Sequence, residues 1–336
     1  MRQSQSNWIL VKGSGGGGLG DRLRALCVAI AYARATGRGV SVDWRDGRLG
    51  AEGVNRFSEL FEIKDIPYVE PEWLEGISDP WPPSWRGRLQ RSLHEVYVED
   101  GDPVWDRVST IARYSFDPTD DTLEHSVVVL WDFDRLSALA RLPRFNAQGL
   151  TQRQFEVDIV TRHLQPVAAI EQRVAKLLAR SEGSQCRVGA HVRATLEAKA
   201  QKGEVPLRAY FSVLDRLLGQ RDCRLFLATD NMSVQQAFQQ RYGDVMSLPK
   251  WFGAPGDSLH LNPECPDIAQ AAEDAVVEMI ALARSDHLVL RSNSSFSIMA
   301  GLFFSGDPRR ITYVDARPSF PSRLRGAARR LLGPAC

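Results

Sequence analysis

Apolar positions recur along this chain in two alternating rhythms. Trp8-Ile9-Leu10-Val11 is an unbroken apolar run of strand length. Gly15 to Gly18, then Leu19-Gly20, break it. From about Arg22 to Thr36, residues Leu23, Leu26, Cys27, Ile30, Ala31 and Ala33 give an apolar face at helical spacing, with Asp21 as its cap. Gly37 and Gly39 stop that helix, and Val40-Ser41-Val42-Asp43 predicts the next strand, which completes a βαβ unit. Between residues 64 and 125 the rhythm fails. Proline and tryptophan crowd Pro71 to Trp85, so loops and short helices are expected there. Val127 to Trp131 predicts a buried strand.

A second series follows. Val167 to Ala179 predicts a helix, and Ser181 to Gln185 is a polar break. Strands are expected at Arg187 to Val192, Arg224 to Ala228, Asp244 to Leu248, His287 to Leu290 and Ile311 to Val314. Helices are expected at Leu207 to Leu218, Ser233 to Tyr242, Ile268 to Arg284 and Phe296 to Phe304. Strand–helix alternation implies α/β architecture with parallel sheets covered on both faces. The expected division is a Rossmann-like domain at 1–165, a second at 166–316, and a basic tail at 317–336, with a cleft between the two domains. In the tail, Leu324, Ala327, Ala328 and Leu331 share one helical side and arginines flank it. It either packs back on the N-terminal domain or lies against anionic lipid.

Composition narrows the function only by exclusion. With 42 Lys and Arg against 41 Asp and Glu among 336 residues, the chain has no global field for nucleic acid. The five cysteines are scattered, with no metal-ligand spacing, and predict reduced thiols. No apolar run reaches about 18 residues and no leader pattern opens the chain. A cytoplasmic protein, at most peripheral to a membrane, is the expectation.

The chemistry gathers at strand ends. Val188, Ala190 and Val192 alternate with Gly189, His191 and Arg193, which puts His191 and Arg193 together at the carboxyl end of a strand, where open α/β sheets bind ligands. A guanidinium there grips phosphate with two hydrogen bonds. Gly15 to Gly20 satisfies GxGxxG between a strand and a helix, and such a loop either cradles phosphate or simply turns. Asp43 ends the next strand, where a dinucleotide fold keeps its ribose-binding acid, so an NAD(P)-dependent dehydrogenase is a rival reading. Thr229 and Asp230 end another strand, to cap a helix or to bind sugar or ribose hydroxyls. Ser294 and Ser295 open a helix, as caps, as a phosphate nest, or both. Glu273 and Asp274 look like a solvated helix face. Glu278, set among Val277, Met279 and Ile280, is the exception. It suits hydrogen bonds from guanine N1–H and N2–H.

In this order the blocks resemble the α-1,6-fucosyltransferase family, most of all its rhizobial nodulation members. The matching residues are Gly16 to Gly20, Ala31 to Arg38 into Val42-Asp43-Trp44-Arg45, and His191-Val192-Arg193. Phe226 to Asp230, Asp244 to Lys250 and Ser294-Ser295-Phe296 match as well. The resemblance implies a GT-B fold of two Rossmann-like domains and an inverting, metal-independent glycosyltransferase with GDP-fucose as donor substrate and no cofactor. It implies that Arg193 grips the diphosphate, that His191 and Glu278 meet guanine, and that Gly17, Gly18, Gly20, Ser294 and Ser295 lie by the phosphates, with Asp230 among the donor contacts. The partner would be an oligosaccharide or glycolipid acceptor. Two departures stand out. Ala194 replaces the second arginine of the animal enzymes, and Gln201 falls where those have a carboxylate proposed as the base. Glu197 and Glu204 flank that position and are the candidate bases. Without a base, the chain would be a non-catalytic GDP-sugar-binding protein.

Overall fold

The computed structural model describes residues 7–13, 17–101, 107–181, 183–184, 186–194, 206–219, 222–254 and 262–315. Glu197, Gln201, Glu204 and the tail at 317–336 lie outside the described residues.

The chain forms two parallel sheets. The first takes β1 (Trp8–Lys12), β2 (Gly39–Asp43), β4 (Pro80–Trp81) and β5 (Val127–Leu130) in the order β2-β1-β5-β4. The second takes β7 (Cys186–Val192), β8 (Cys223–Thr229), β9 (Val245–Met246), β10 (His287–Leu290) and β11 (Ile311–Tyr313) in the order β11-β10-β7-β8-β9. A separate two-stranded pair, β3 (Phe61–Ile63) and β6 (Leu164–Pro166), is antiparallel. Strand order reverses direction at β1 in one sheet and at β7 in the other. In doubly wound folds, ligands settle in the crevice at such switch points.

The helices that position the site are α1 (Leu19–Thr36), α2 (Gln152–His163), α3 (Ala168–Leu178), α4 (Leu207–Leu218), α5 (Met232–Tyr242), α6 (Ile268–Ala283) and α7 (Ser295–Phe303). Helix α1 begins three residues earlier than the apolar face predicts. Its cap is Gly18, and Asp21 sits inside the first turn. It is buried almost all round as far as Ala33, because the first sheet, α2 and α7 enclose it. Helix α2 and strands β3, β4 and β6 are additions to the predicted elements.

One continuous apolar cluster joins the halves. It contains Leu23, Leu26 and Ile30 of α1, Val276, Val277 and Ile280 of α6, and Met299 and Ala300 of α7. The cleft is therefore local rather than a plane of separation. An interface this apolar resists large hinge motion.

The cysteines depart from expectation. Cys186 and Cys223 form a disulfide with Cα atoms 4.5 Å apart. Each opens its strand, and the β7–β8 register sets them directly opposite. Cys27 and Cys265 are buried free thiols.

Candidate active site

A cavity of about 310 Å³ opens where α1, α6 and α7 meet the end of β7. The β7 strand delivers His191 and Arg193 to it. The cap and first residues of α7 deliver Ser294, Ser295 and Phe296, and α6 delivers Asp274 and Glu278.

Two helices, one from each half of the chain, point their N-termini into this cavity. Gly18 caps α1 and Ser294 caps α7, and neither side chain makes a capping hydrogen bond. Uncapped helix starts leave N–H groups free and carry the positive end of the helix dipole, which suits an anion. The two starts touch. A Cβ on Gly20 would lie 2.5 Å from the Phe296 nitrogen and 2.6 Å from the Ser295 carbonyl carbon, so only glycine permits this approach. The Ser295 hydroxyl donates to the Asp21 carboxylate across the junction and lies 3.5 Å from Arg24 Nη1.

Arg193 is half-buried and makes no hydrogen bond or ion pair among the described residues. Arg48, on the loop after β2, reaches the same cavity and is likewise unpaired among the described residues. Its position takes a tertiary structure to see. His191 is buried, with Nδ1 2.7 Å from the Ser297 hydroxyl and its ring 4.6 Å from that of Phe296. The Ser297 oxygen also accepts from the Arg291 N–H at 3.3 Å. The tautomer in which the Ser297 hydroxyl donates to Nδ1 has Nε2–H as a donor; the reverse tautomer has Nε2 as an acceptor. Burial, then the charges of Arg193, Lys250 and Arg291, hold the imidazole down to about 3. It is neutral at any ordinary pH.

Glu278 is buried and accepts from Lys250 Nζ at 2.6 Å. Burial pushes its carboxyl up and Lys250 pulls it back. Lys250 is thus a member of the site that sequence reading left out. Its place in the matched Asp244 to Lys250 block was the available signal.

Other expectations change. Asp230 does not cap α5. It accepts the Ala194 N–H at 2.9 Å, and Asn231 caps the helix by accepting from the Val234 N–H. Thr229 instead donates to the Val192 carbonyl at 2.8 Å. Burial raises the Asp230 carboxyl. Glu273 and Asp274 are not a solvated face. Glu273 pairs with Arg56 and Arg173, and Asp274 with Arg173. The Gly17 carbonyl accepts from Arg22 Nε at 3.3 Å, and Gly17 does not line the cavity. Asp43 is fully engaged. Burial disfavours its charge, but Lys12 and Arg45 more than offset this and keep the carboxyl below its usual range. The acid on which the dehydrogenase reading rests is therefore already held by two cations. Among the described residues, no three His, Cys, Asp or Glu side chains converge as metal ligands.

Two doubly wound parallel sheets with a ligand cavity at their junction define a GT-B glycosyltransferase architecture, which solved relatives share. A Bradyrhizobium fucosyltransferase NodZ structure aligns with TM-score 0.58 at 19% identity, over 93% of this chain and 96% of that one. NodZ alpha-1,6-fucosyltransferase soaked with GDP-fucose aligns with TM-score 0.56 at 19% identity, over 89% and 92%. POFUT1 in complex with GDP-fucose aligns with TM-score 0.52 at 11% identity, over 94% and 99%. In sequence the chain is homologous to Nodulation protein Z. It is 24% identical to the Bradyrhizobium diazoefficiens protein over 330 residues, which is 89% of this chain and 82% of that one. Against the Sinorhizobium fredii protein it is 24% identical over 329 residues, 89% and 94% of the two. No family model matches.

Proposed function

We propose that this protein is an inverting, metal-independent fucosyltransferase that moves fucose from GDP-fucose to a glycan hydroxyl. One observation carries the reading. An unpaired Arg193 and two uncapped helix N-termini converge on one cavity at the switch point of the second sheet. That arrangement suits a diphosphate. The homology to Nodulation protein Z, and its GDP-fucose-soaked structure, support the donor.

At the base end, His191 in its Nε2–H tautomer offers a donor and Glu278 an acceptor. Guanine presents the complement, with acceptors at O6 and N7 and donors at N1 and N2. Uracil lacks the paired donors that a carboxylate accepts. At the diphosphate, Arg193 and the N–H groups that open α1 and α7, beside Gly18, Gly20, Ser294 and Ser295, face the leaving group.

The acceptor hydroxyl attacks the anomeric carbon opposite the diphosphate. The bond from that carbon to the phosphate oxygen breaks, and its electron pair stays on the β-phosphate. Arg193 and the helix starts stabilise the charge that grows there. The hydroxyl proton passes to a carboxylate, for which Glu197 is the first assignment and Glu204 the second.

The test is ligand binding followed by turnover. GDP should raise the melting temperature and UDP should not, by about 2.7 kcal/mol of stabilisation at a hundredfold excess over Kd. GDP-fucose should then be consumed in the presence of chelator. Equal shifts with UDP, or a shift with NAD alone, would sink the reading.

A further inference from the structure

The donor cavity holds a cation that the proposed reaction leaves without a task. Arg48 lines it from the loop after β2, in the N-terminal half, while Arg193 lines it from the end of β7 in the other half. We propose that Arg48 is a second grip on the donor's diphosphate, supplied by the half of the chain opposite to Arg193. The inference rests on the transferase reading and adds to it a residue that acts on the leaving group.

The loop presents Arg48 from a closed turn. Arg45 grips both oxygens of Asp43, at 2.9 and 3.0 Å, and reaches Glu72 and Glu75. Asp46 and Glu52 form an antiparallel bridge, and the Gly53 N–H donates to the Arg45 carbonyl at 2.8 Å. Gly47 turns the chain at φ +76°, a conformation that suits a residue without a Cβ. Leu49, next to Arg48, is buried in the apolar cluster that joins the two halves. A loop already held in place loses little freedom when it takes a ligand.

The same loop is tied to the start of α1. Arg22, in the first turn of that helix, is fully buried. Its Nη2 donates to Asp46 Oδ2 at 2.6 Å and its Nε to the Gly17 carbonyl at 3.3 Å. One guanidinium thus fastens the loop to the residue before the Gly18 cap. Asp46 and Arg48 are two positions apart, so their Cα atoms lie within about 7 Å. That tether sets Arg48 beside the end of the cavity where α1 opens.

Charge points to the same ligand. Arg48 is half-buried, with no hydrogen bond or ion pair among the described residues. Arg22, Arg24 and Arg45, which surround this junction, are each paired to a carboxylate. One guanidinium fork grips two oxygens, and a diphosphate has oxygens left over once Arg193 has taken its pair. The open start of α1 favours an anion on the same side. A nucleoside without phosphates offers Arg48 no opposite charge.

The test compares GDP with guanosine by calorimetry in wild type, Arg48→Ala and Arg48→Gln. Both variants should melt with wild type when no ligand is present, because the side chain they lose has no partner. Each should weaken GDP by at least about tenfold and leave guanosine within about twofold. Turnover of GDP-fucose should fall at least as far, since charge grows on the leaving phosphate. Hydrogen exchange in the loop from Trp44 to Gly53 should slow with GDP in wild type and not in the variants. Unchanged GDP affinity or full turnover in the variants would overturn the assignment. So would an equal loss for GDP and guanosine, or equal protection of the loop by the two ligands in wild type. If wild type binds GDP no more tightly than guanosine, the transferase reading fails and this inference with it.

Discussion

Replacing Gly20 with alanine tests whether the two helix starts form one anion site. The new Cβ would stand 2.5 Å from the Phe296 nitrogen, where ordinary contact begins near 3.4 Å. The obstacle is backbone, not the end of a flexible side chain. The N-termini of α1 and α7 must therefore part by about 0.9 Å. Overpacking of this kind costs about 1–3 kcal/mol of stability, and a misplacement near 1 Å in a catalytic arrangement costs about 10²-fold in rate. Gly37→Ala is the matched control. Gly37 follows the same helix at φ +72° with no atom within 4 Å of a built Cβ, so alanine there is strained but meets nothing. It too loses about 1 kcal/mol. It lies at the far end of an 18-residue helix, about 27 Å from the cavity. Thermal unfolding, GDP calorimetry and GDP-fucose turnover should separate the two. Both variants should melt a few degrees lower, and only Gly20→Ala should lose GDP affinity and turnover. Wild-type turnover in Gly20→Ala, or an equal loss in Gly37→Ala, would refute the shared anion site.

Three further outcomes are expected. Arg193→Ala should keep the fold and lose transfer by orders of magnitude, since each charged hydrogen bond is worth about 1.5–3 kcal/mol. Arg193→Lys should rescue poorly because an ammonium lacks the fork, which paired kcat and KM measurements check. Lys250→Met should let Glu278 take up its proton at higher pH than in wild type, so the variant's GDP affinity should fall at neutral pH and recover as pH rises. A flat profile in calorimetry across pH 6 to 9 would contradict this role. For the cysteines, thiol mapping of the denatured, unreduced protein should find Cys27 and Cys265 reactive, with Cys186 and Cys223 appearing only after reduction.

Local periodicity made much of this fold legible. The run from Trp8 to Asp43 and the series from Cys186 to Phe303 carry strong apolar rhythms, and their strands and helices lie where those rhythms fall. Helix α2 was signalled differently, by Thr151 and Gln154 in a capping box, because its apolar residues are sparse. Strand β4 has two residues, too few for any period. His191 and Arg193 were visible because alternation along one strand aims them. Lys250 and Glu278 stand 28 residues apart and Cys186 and Cys223 37 apart. The cysteine pair depends on which strands are neighbours and in what register, and the Lys250–Glu278 pair on how a loop meets a helix, which no local window contains. Gly18 displaced Asp21 as the cap for a related reason. The helix start is fixed by its contact with Ser295 and Phe296, not by its own sequence alone.

The donor cavity poses an electrostatic question that a charge count answers wrongly. Its lining carries Asp21, Asp230, Asp267, Asp274 and Glu278 against Arg48, Arg193 and Lys250. By that count a diphosphate should be repelled. The acids are already committed. Glu278 is held by Lys250 and Asp274 by Arg173 from outside the cavity. Asp267 caps α6 by accepting from Gln270 N–H at 2.8 Å. Asp21 sits in the first turn of α1, at the positive end of the dipole, and accepts from Ser295. Asp230 takes the Ala194 N–H, and its burial favours the neutral form. Among the described residues that line this cavity, the charges left without a partner are the guanidinium groups of Arg48 and Arg193, facing two open helix starts. A buried ion pair such as Lys250–Glu278 contributes little net stability; under the proposed function its value would lie in Lys250 opposing the effect of burial on a carboxylate that meets the base, while the uncommitted positive charge faces the phosphates. On the proposed function, a cavity with committed acids at one end and uncommitted guanidinium groups at the other suits a nucleotide diphosphate better than a general acidic groove would.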